Sequence, residues 1–315
     1  MAVIAFMSAK GSPGTTTTAL LCAALWPRPA LLVDADTDGG DVALRLRRAD
    51  GEPVDRDRGL LSLLSLARRE LDPSVLTAHA QVLRGGTEVI SGLAGPDQAG
   101  AAQLLWDNVG RACAGSTTHD VLIDCGRMSS TSVHLPLLQR ADVLVCVLRP
   151  DISGVIHTRD RLGDLEPVLG LGEGAGPRVG VLVVAGRSGD RDVAGATAVL
   201  ERDLPGIELF GVLADDSAGA SVLAGAEVAR PERTLLVRSA HPLVARLAEL
   251  VGADPQAAPG PTGPTRPSGR RVADRPRPRL RRRGVAAPTA EPGSSLEDYV
   301  AAAAPRVAPA SGGPA

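Results

Sequence analysis

Short, almost purely apolar runs alternate with longer amphipathic segments between residues 2 and 251. Several of these runs consist of Val, Leu, Ile and Ala without polar alternation, which is typical of strands covered on both faces of a parallel sheet. Strands are predicted at 3–6, 30–33, 88–91, 121–124, 143–148, 180–184 and 208–212. Helices are predicted at 16–25, 60–69, 97–114, 133–140, 153–165, 192–202 and 242–251. The alternation predicts an α/β fold, doubly wound, with a mostly parallel sheet flanked by helices and ligands bound at the carboxyl ends of the strands.

The composition changes sharply after residue 252, which predicts one domain at 1–252 and a disordered tail at 253–315. The tail is rich in Pro, Gly, Ala and Arg and has too little apolar surface to order itself. Residues 266–283 hold nine arginines, from Arg266 at the start to Arg283 at the end, and a single acid. This segment is either a solvated tail or a tether to nucleic acid or an anionic surface. Residues 294–304 could form a short helix, which either binds a protein partner or has no function.

Charge, hydropathy and cysteine usage restrict the class of protein. The net charge is -2, which argues against a globally basic nucleic-acid binder. We find no run of about 18 apolar residues that would span a membrane, and we expect no signal peptide. The four cysteines lie apart in apolar segments, as expected for reduced core residues of a cytoplasmic protein. The histidines have no metal-ligand spacing, and we assign no metal site to them.

Residues 9–18, "AKGSPGTTTT", stand between the first predicted strand and the first predicted helix. Gly11 and Gly14 let the backbone approach an anion, and the helix directs its free N–H groups and positive dipole end at that anion. Lys10 is the only lysine in the chain, against 33 arginines, so it is either retained for its chemistry or present by chance. The strict pattern GxxxxGK[ST] fails at Ala9 and at Thr15.

This stretch nevertheless resembles the deviant Walker A motif, KGGxGKT[ST], of the ParA/MinD family of P-loop ATPases. Lys10 matches the signature lysine of that motif, Gly11 and Gly14 match two of its glycines, Ser12 takes the place of the third, and Thr16 matches the magnesium-binding hydroxyl. Four further segments are similar to the family in the same order, namely "LLVDADTDGGD" (31–41), "HDVLIDCG" (119–126), "ADVLVCVLRPDISGV" (141–155) and "LFGVLADDSAGASVLAGAE" (209–227). The resemblance covers most of residues 1–251 and implies a P-loop NTPase fold.

The resemblance implies ATP and Mg²⁺ as cofactors and assigns a role to each matching residue. Thr16 would bind Mg²⁺ directly, Asp124 would orient its water shell, and Asp34 would support the metal. Asp36 would position the attacking water, and Lys10 would reach the phosphates of a partner subunit across a nucleotide sandwich dimer. Without the phosphate loop, both aspartates after the second strand would be interpreted as solvated loop residues. The implied cofactor-binding residues are Gly11, Ser12, Pro13, Gly14, Thr15, Thr16 and Thr17.

Two departures from the family pattern bear on activity. Thr15 replaces the lysine that normally contacts the β- and γ-phosphates, which predicts weaker binding and impaired hydrolysis. Ala185, Gly186 and Arg187 stand where the family often places a base-contacting asparagine, so adenine specificity is not predicted.

The main hypothesis is a ParA/MinD-like, nucleotide-binding homodimer that organises positions in a bacterial cell with weak or absent hydrolysis. Its partner would belong to the partition machinery or to the secretion or pilus machinery, as in the TadZ/CpaE-like branch. One alternative is an active chromosome or plasmid partitioning ATPase that uses Lys10 in trans. Another is a nucleic-acid tethering protein that works through its arginine-rich tail.

Overall fold

The computed structural model describes residues 1–11, 13–171, 176–186, 190–223 and 230–253. Strands within these residues are β1 (Val3–Ser8), β2 (Ala30–Asp34), β3 (Gln81–Val82), β4 (Glu88–Ile90), β5 (Asp120–Arg127), β6 (Val143–Leu148), β7 (Arg178–Ala185) and β8 (Glu208–Ala214). Helices are α1 (Thr15–Leu25), α2 (Val42–Arg45), α3 (Leu60–Leu66), α4 (Val75–His79), α5 (Pro96–Ala101), α6 (Trp106–Ala114), α7 (Leu135–Leu138), α8 (Ile152–Leu169), α9 (Asp190–Asp203), α10 (Ser217–Leu223) and α11 (Leu235–Leu250). The arginine-rich segment and the short helix predicted at 294–304 lie outside the described residues.

The strands form one sheet in the order β3-β4-β2-β5-β1-β6-β7-β8. Neighbouring strands are parallel except for the short antiparallel pair β3–β4. Strand β1 lies inside the sheet between β5 and β6, and all six of its residues are buried. The loop that follows β1 is therefore flanked by the carboxyl ends of two other strands, where ligands bind in folds of this class.

Side chains from successive positions of β1 enter two separate cores, one on each face of the sheet. Met7 packs with Trp106 of α6 and Leu162 of α8 on one face of the sheet. Phe6 packs with Leu21 of α1 on the other face, which α11 also covers. Helices on both faces explain why these strands are apolar without alternation. The predicted doubly wound, mostly parallel α/β fold is confirmed.

The observed strands match all seven predicted ones, whereas the helices differ more from their predicted bounds. The predicted helix at 97–114 is divided into α5, a 3-10 turn at Gln103–Leu105, and α6. The last helix begins at Leu235 and contains Pro242, the residue at which we expected it to start. It begins early because the hydroxyl of Thr234 caps it, accepting a hydrogen bond from the Val237 amide at 3.3 Å.

Candidate functional site

The loop between β1 and α1 presents unpaired main-chain donors at the end of a buried strand. Gly11 and Gly14 have φ angles of 73° and 104°, which favour glycine. The first hydrogen bond within α1 runs from the Thr18 amide to the Gly14 carbonyl at 2.8 Å. The amides of residues 15–17 precede that bond and have no acceptor within the helix. Together with the positive end of the helix dipole, they form an anion-binding arrangement. Ser12 lies outside the described residues.

Three aspartates cluster at the carboxyl ends of β5 and β2. Asp34 and Asp124 are Cα partners on these adjacent strands, and neither is exposed to solvent. Asp36 is half-buried and lies directly on Gly126. A Cβ atom built on Gly126 would come within 2.3 Å of the Asp36 carboxyl carbon. The absence of a side chain at 126 therefore lets Asp36 approach the end of β5.

Two further glycines enclose the Asp34 carboxyl. A Cβ atom on Gly40 would lie 2.4 Å from Oδ2 of Asp34, and one on Gly92 would lie 2.8 Å from its carboxyl carbon. The Val42 amide donates a long hydrogen bond of 3.4 Å to the same Oδ2 atom. Asp34, which sequence reasoning allowed to be a solvated loop residue, is instead a buried group in a fixed position.

The groups around the buried carboxylates of Asp34 and Asp124 do not fully stabilise their negative charge. Burial raises the pKa of Asp34 well above its usual range, and the charges of Asp124 and Asp36 add to the rise. Burial likewise raises the pKa of Asp124 to about 6, although the Thr16 hydroxyl and the Gly126 amide act in the opposite direction. Both carboxylates therefore lie where a nearby cation would stabilise their charged form.

The donors at this site fit a magnesium ion that is bound together with a phosphate ligand. Three buried oxygens in the described part of the chain have no hydrogen-bond partner, namely Thr15 Oγ1, Asp34 Oδ1 and Asp124 Oδ2. Within the described residues, no three His, Cys, Asp or Glu side chains are grouped so as to hold a metal ion. Magnesium does not require such a group, since it usually keeps several waters and takes one or two protein oxygens plus substrate phosphates.

Lys10 contacts helix α8. Its side chain is exposed, and its Nζ atom lies 3.0 Å from Nε2 of His157 on α8. A neutral imidazole ring accepts a hydrogen bond from the ammonium group in this geometry. The predicted contact of Lys10 with a partner's phosphates stays a prediction.

Two arginines that the sequence analysis did not assign also lie at this edge of the sheet. Arg127 Nη2 donates to Asp38 Oδ2 at 2.8 Å, and Arg149 Nη1 donates to Asp215 Oδ2 at 2.6 Å. Arg149 also lines a cavity of about 190 Å³ together with the phosphate loop. Because the chain has 33 arginines and one lysine, the residue type alone does not distinguish an arginine that binds a ligand from one that has a structural role. The one feature of the sequence that could have identified Arg149 is its position directly after a buried strand.

The region expected to contact a base is only partly described. Ala185 ends β7 and Gly186 follows it, whereas Arg187 lies outside the described residues. Asp216, after β8, accepts hydrogen bonds from the amides of Gly219 and Leu235, each at 3.0 Å. These bonds tie the ends of α10 and α11 together, so this carboxylate has a structural role.

No helix of the described residues is both long enough and apolar enough to cross a membrane.

No family model matches the sequence, and no curated protein matches it. The fold and the loop before α1 nevertheless define a class, the P-loop α/β proteins.

Solved structures of ParA, MinD and McdA proteins share this fold. An ATP complex of a McdA variant from Cyanothece aligns with a TM-score of 0.61 at 17% identity, covering 81% of this chain and 97% of that one. The cell division ATPase MinD from Pyrococcus furiosus aligns at 0.59 and 20% identity, covering 79% and 99%. A ParA family ATPase from Chlorobium tepidum aligns at 0.58 and 18% identity, covering 78% and 98%. The predicted ParA/MinD-like fold is therefore confirmed.

Proposed function

We propose that this chain binds ATP with Mg²⁺ at residues 11–17 and acts as a spatial organiser in the cell, with weak or absent hydrolysis. One observation carries the proposal. An uncapped helix N-terminus lies beside two buried carboxylates that have unpartnered oxygens, Asp34 and Asp124. Triphosphate supplies the negative charge that the helix end favours, and Mg²⁺ supplies the positive charge that the carboxylates require.

The proposed roles follow from where each group lies. The amides of residues 11 and 14–17 hold phosphate oxygens, and the Thr16 hydroxyl is the direct magnesium ligand. Asp124, whose Oδ1 accepts a hydrogen bond from the Gly126 amide at 3.0 Å, keeps Oδ2 free to orient the water shell of the metal. Asp34, the Cα partner of Asp124 on the neighbouring strand β2, adds a second negative charge next to the metal. When bound, Mg²⁺ would neutralise negative charge on the phosphates.

Similar structures support this ligand class. One is MinD from Pyrococcus horikoshii complexed with Mg-ADP, at 18% identity and a TM-score of 0.58. Another is a MinC:MinD complex from Aquifex aeolicus, at 17% identity and a TM-score of 0.55. Our proposal of a homodimer with a protein partner, in partitioning or in secretion or pilus-site localisation, rests on this likeness and on the family resemblance of the sequence.

Slow hydrolysis follows from Thr15. A lost charge-assisted contact to phosphate corresponds to about 1.5–3 kcal/mol, or about a tenfold to hundredfold loss of affinity. Phosphoryl transfer loses more, because it depends on stabilising the spread negative charge of the transition state.

The alternative, an active partitioning ATPase, has one observation in its favour. Asp36 is present and lies against the end of β5, next to the proposed metal site. In that case Lys10 would leave His157 and supply the catalytic charge to a partner subunit.

The experiment that tests nucleotide binding is a calorimetric titration of the full chain with ATP and Mg²⁺, repeated in EDTA. We expect binding that weakens when Mg²⁺ is removed. No heat and no thermal shift with ATP, ADP or GTP would refute the proposal. Sedimentation with and without Mg-ATP tests the dimer.

Phosphate release by the wild type and by Lys10→Ala separates the two functions. Slow release that is unchanged in the variant supports the organiser, whereas rapid release that needs Lys10 supports the turnover enzyme.

A further inference from the structure

Two cationic residues follow neighbouring parallel strands beside the phosphate loop. Strand β1 pairs with β6, and the last Cα partners are Met7 and Cys146. Lys10 comes two residues after the end of β1, and Arg149 comes directly after the end of β6. Because adjacent strands lie about 4.8 Å apart, both residues lie near each other at the carboxyl edge of the sheet.

The backbone that carries Arg149 is held in a tight turn. Asp151 caps α8 by accepting hydrogen bonds from the Gly154 amide at 2.8 Å and from the Ser153 hydroxyl at 3.2 Å. A Cβ atom on Gly154 would lie 2.2 Å from the Arg149 carbonyl oxygen, so glycine is required for this approach. The backbone that carries the guanidinium group is therefore already ordered before a ligand binds, which lowers the entropic cost of binding.

Arg149 and Lys10 line one cavity of about 190 Å³ with Gly11 and Pro13 of the phosphate loop. We propose that Arg149 supplies the positive charge toward the β- and γ-phosphates that Thr15 no longer provides. This inference rests on the nucleotide binding proposed above. A planar guanidinium suits the role because it pairs with two phosphate oxygens at once.

The present partner of Arg149 is easily exchanged for phosphate. The side chains of Arg149 and Asp215 are 46% and 42% exposed. An exposed ion pair contributes little to stability, whereas a pair between arginine and phosphate is charge-assisted and bidentate. Asp215 follows β8, on the side of β6 away from β1, so Arg149 must leave Asp215 to reach a ligand at the phosphate loop, and the two compete for the guanidinium. Lys10, in contrast, is bound to His157.

The test is a calorimetric comparison of the wild type, Arg149→Ala and Asp215→Asn, each titrated with Mg-ATP and with AMP. We expect Arg149→Ala to bind ATP about tenfold to a hundredfold more weakly and AMP with unchanged affinity. Asp215→Asn should bind ATP as tightly as the wild type or more tightly, because it removes the competitor. If Arg149 served only to tie β6 to β8, both variants would weaken ATP binding alike, and the proposal would fail.

Arg178→Ala is the matched control. Arg178 is 49% exposed and pairs with Glu208 at 2.6 Å, but it lies at the opposite end of the sheet. The variant Arg178→Ala should leave ATP affinity unchanged. A loss of ATP affinity equal to that of Arg149→Ala would overturn the role proposed for Arg149.

A rescue variant separates the loss of a positive charge from a loss of structure at Arg149. Adding Thr15→Lys to Arg149→Ala should restore ATP affinity, because it returns the ammonium to its usual place. Failure of this rescue, or ATP binding by Arg149→Ala within twofold of the wild type, would refute the role of Arg149 alone. Absence of binding by the wild type would overturn the proposed function as well.

Discussion

The substitution Asp124→Asn should stabilise the chain in the absence of nucleotide while removing its response to Mg-ATP. The Asp124 carboxyl is fully buried and its pKa is raised to about 6, with burial as the main cause. The folded state therefore binds the proton more tightly than the unfolded chain, and stability falls as pH rises from about 4 to about 6. Asparagine has nearly the same shape and carries no charge.

The size of the effect follows from the two pKa values. The pKa of this carboxyl is about 6 in the folded state and 3.8 as its ordinary value. This difference lowers the free energy of unfolding by about 3 kcal/mol at pH 7.5 and by about 1 kcal/mol at pH 4.5. For a domain of this size, about 2–4 °C of melting temperature corresponds to each kcal/mol. The new amide replaces Oδ2, which has no partner, and the substitution removes the repulsion between the Asp124 carboxylate and the charges of Asp36 and Asp41. We expect a rise of about 5–10 °C at pH 7.5.

Thermal melts of both proteins at pH 4.5 and pH 7.5, with and without Mg-ATP, measure this effect. The stability difference between them should shrink at low pH, and only the wild type should gain stability from Mg-ATP. A variant that is less stable than the wild type at pH 7.5, or a difference independent of pH, would refute the reasoning that burial of charge dominates.

Three further outcomes are expected. Thr15→Lys should raise the rate of ATP hydrolysis at least about tenfold, measured by phosphate release. Gly126→Ala should lower the free energy of unfolding by about 2–3 kcal/mol, because its φ is 58° and its Cβ would meet Asp36; urea denaturation tests this, with Gly163→Ala as the unhindered control. In the same assay, Asp120→Ala should lower the free energy of unfolding by about 3 kcal/mol. This variant should leave ATP affinity unchanged, because Asp120 begins β5 at the far end of the sheet.

Two results contradict these expectations. Unchanged hydrolysis in Thr15→Lys would mean that the missing ammonium does not limit turnover. Equal stability of Gly126→Ala and Gly163→Ala would mean that neither the positive φ of Gly126 nor its contact with Asp36 opposes a side chain at this position.

The sequence predicted the parts of the site that depend on local pattern. Continuous apolar runs predicted β1, β2 and β5, which placed the phosphate loop after the first strand, Asp34 after the second and Asp124 at the end of the strand predicted at 121–124. Gly11 and Gly14, which the sequence analysis placed in the loop, both have the positive φ angles that glycine allows.

What the sequence could not predict depends on contacts between distant segments. The bond from Arg149 to Asp215 joins residues 66 positions apart, across β7. The approach of Asp36 to Gly126 depends on the register of β2 against β5. Helix α2 has only four residues, too few for a periodic signal.

Two buried aspartates on β5 differ in how well the surrounding groups compensate their charge. Asp120 accepts hydrogen bonds from the Ala2 amide and the Trp26 indole at 2.7 Å, and it pairs with Arg28. Burial acts to raise its pKa, but these partners outweigh burial and hold the pKa below its ordinary value. Asp124 is equally buried, yet its pKa rises and Oδ2 has no partner. Natural folds usually satisfy their buried charges, so the uncompensated carboxylate of Asp124 supports the proposal that a cation binds at this end of the sheet.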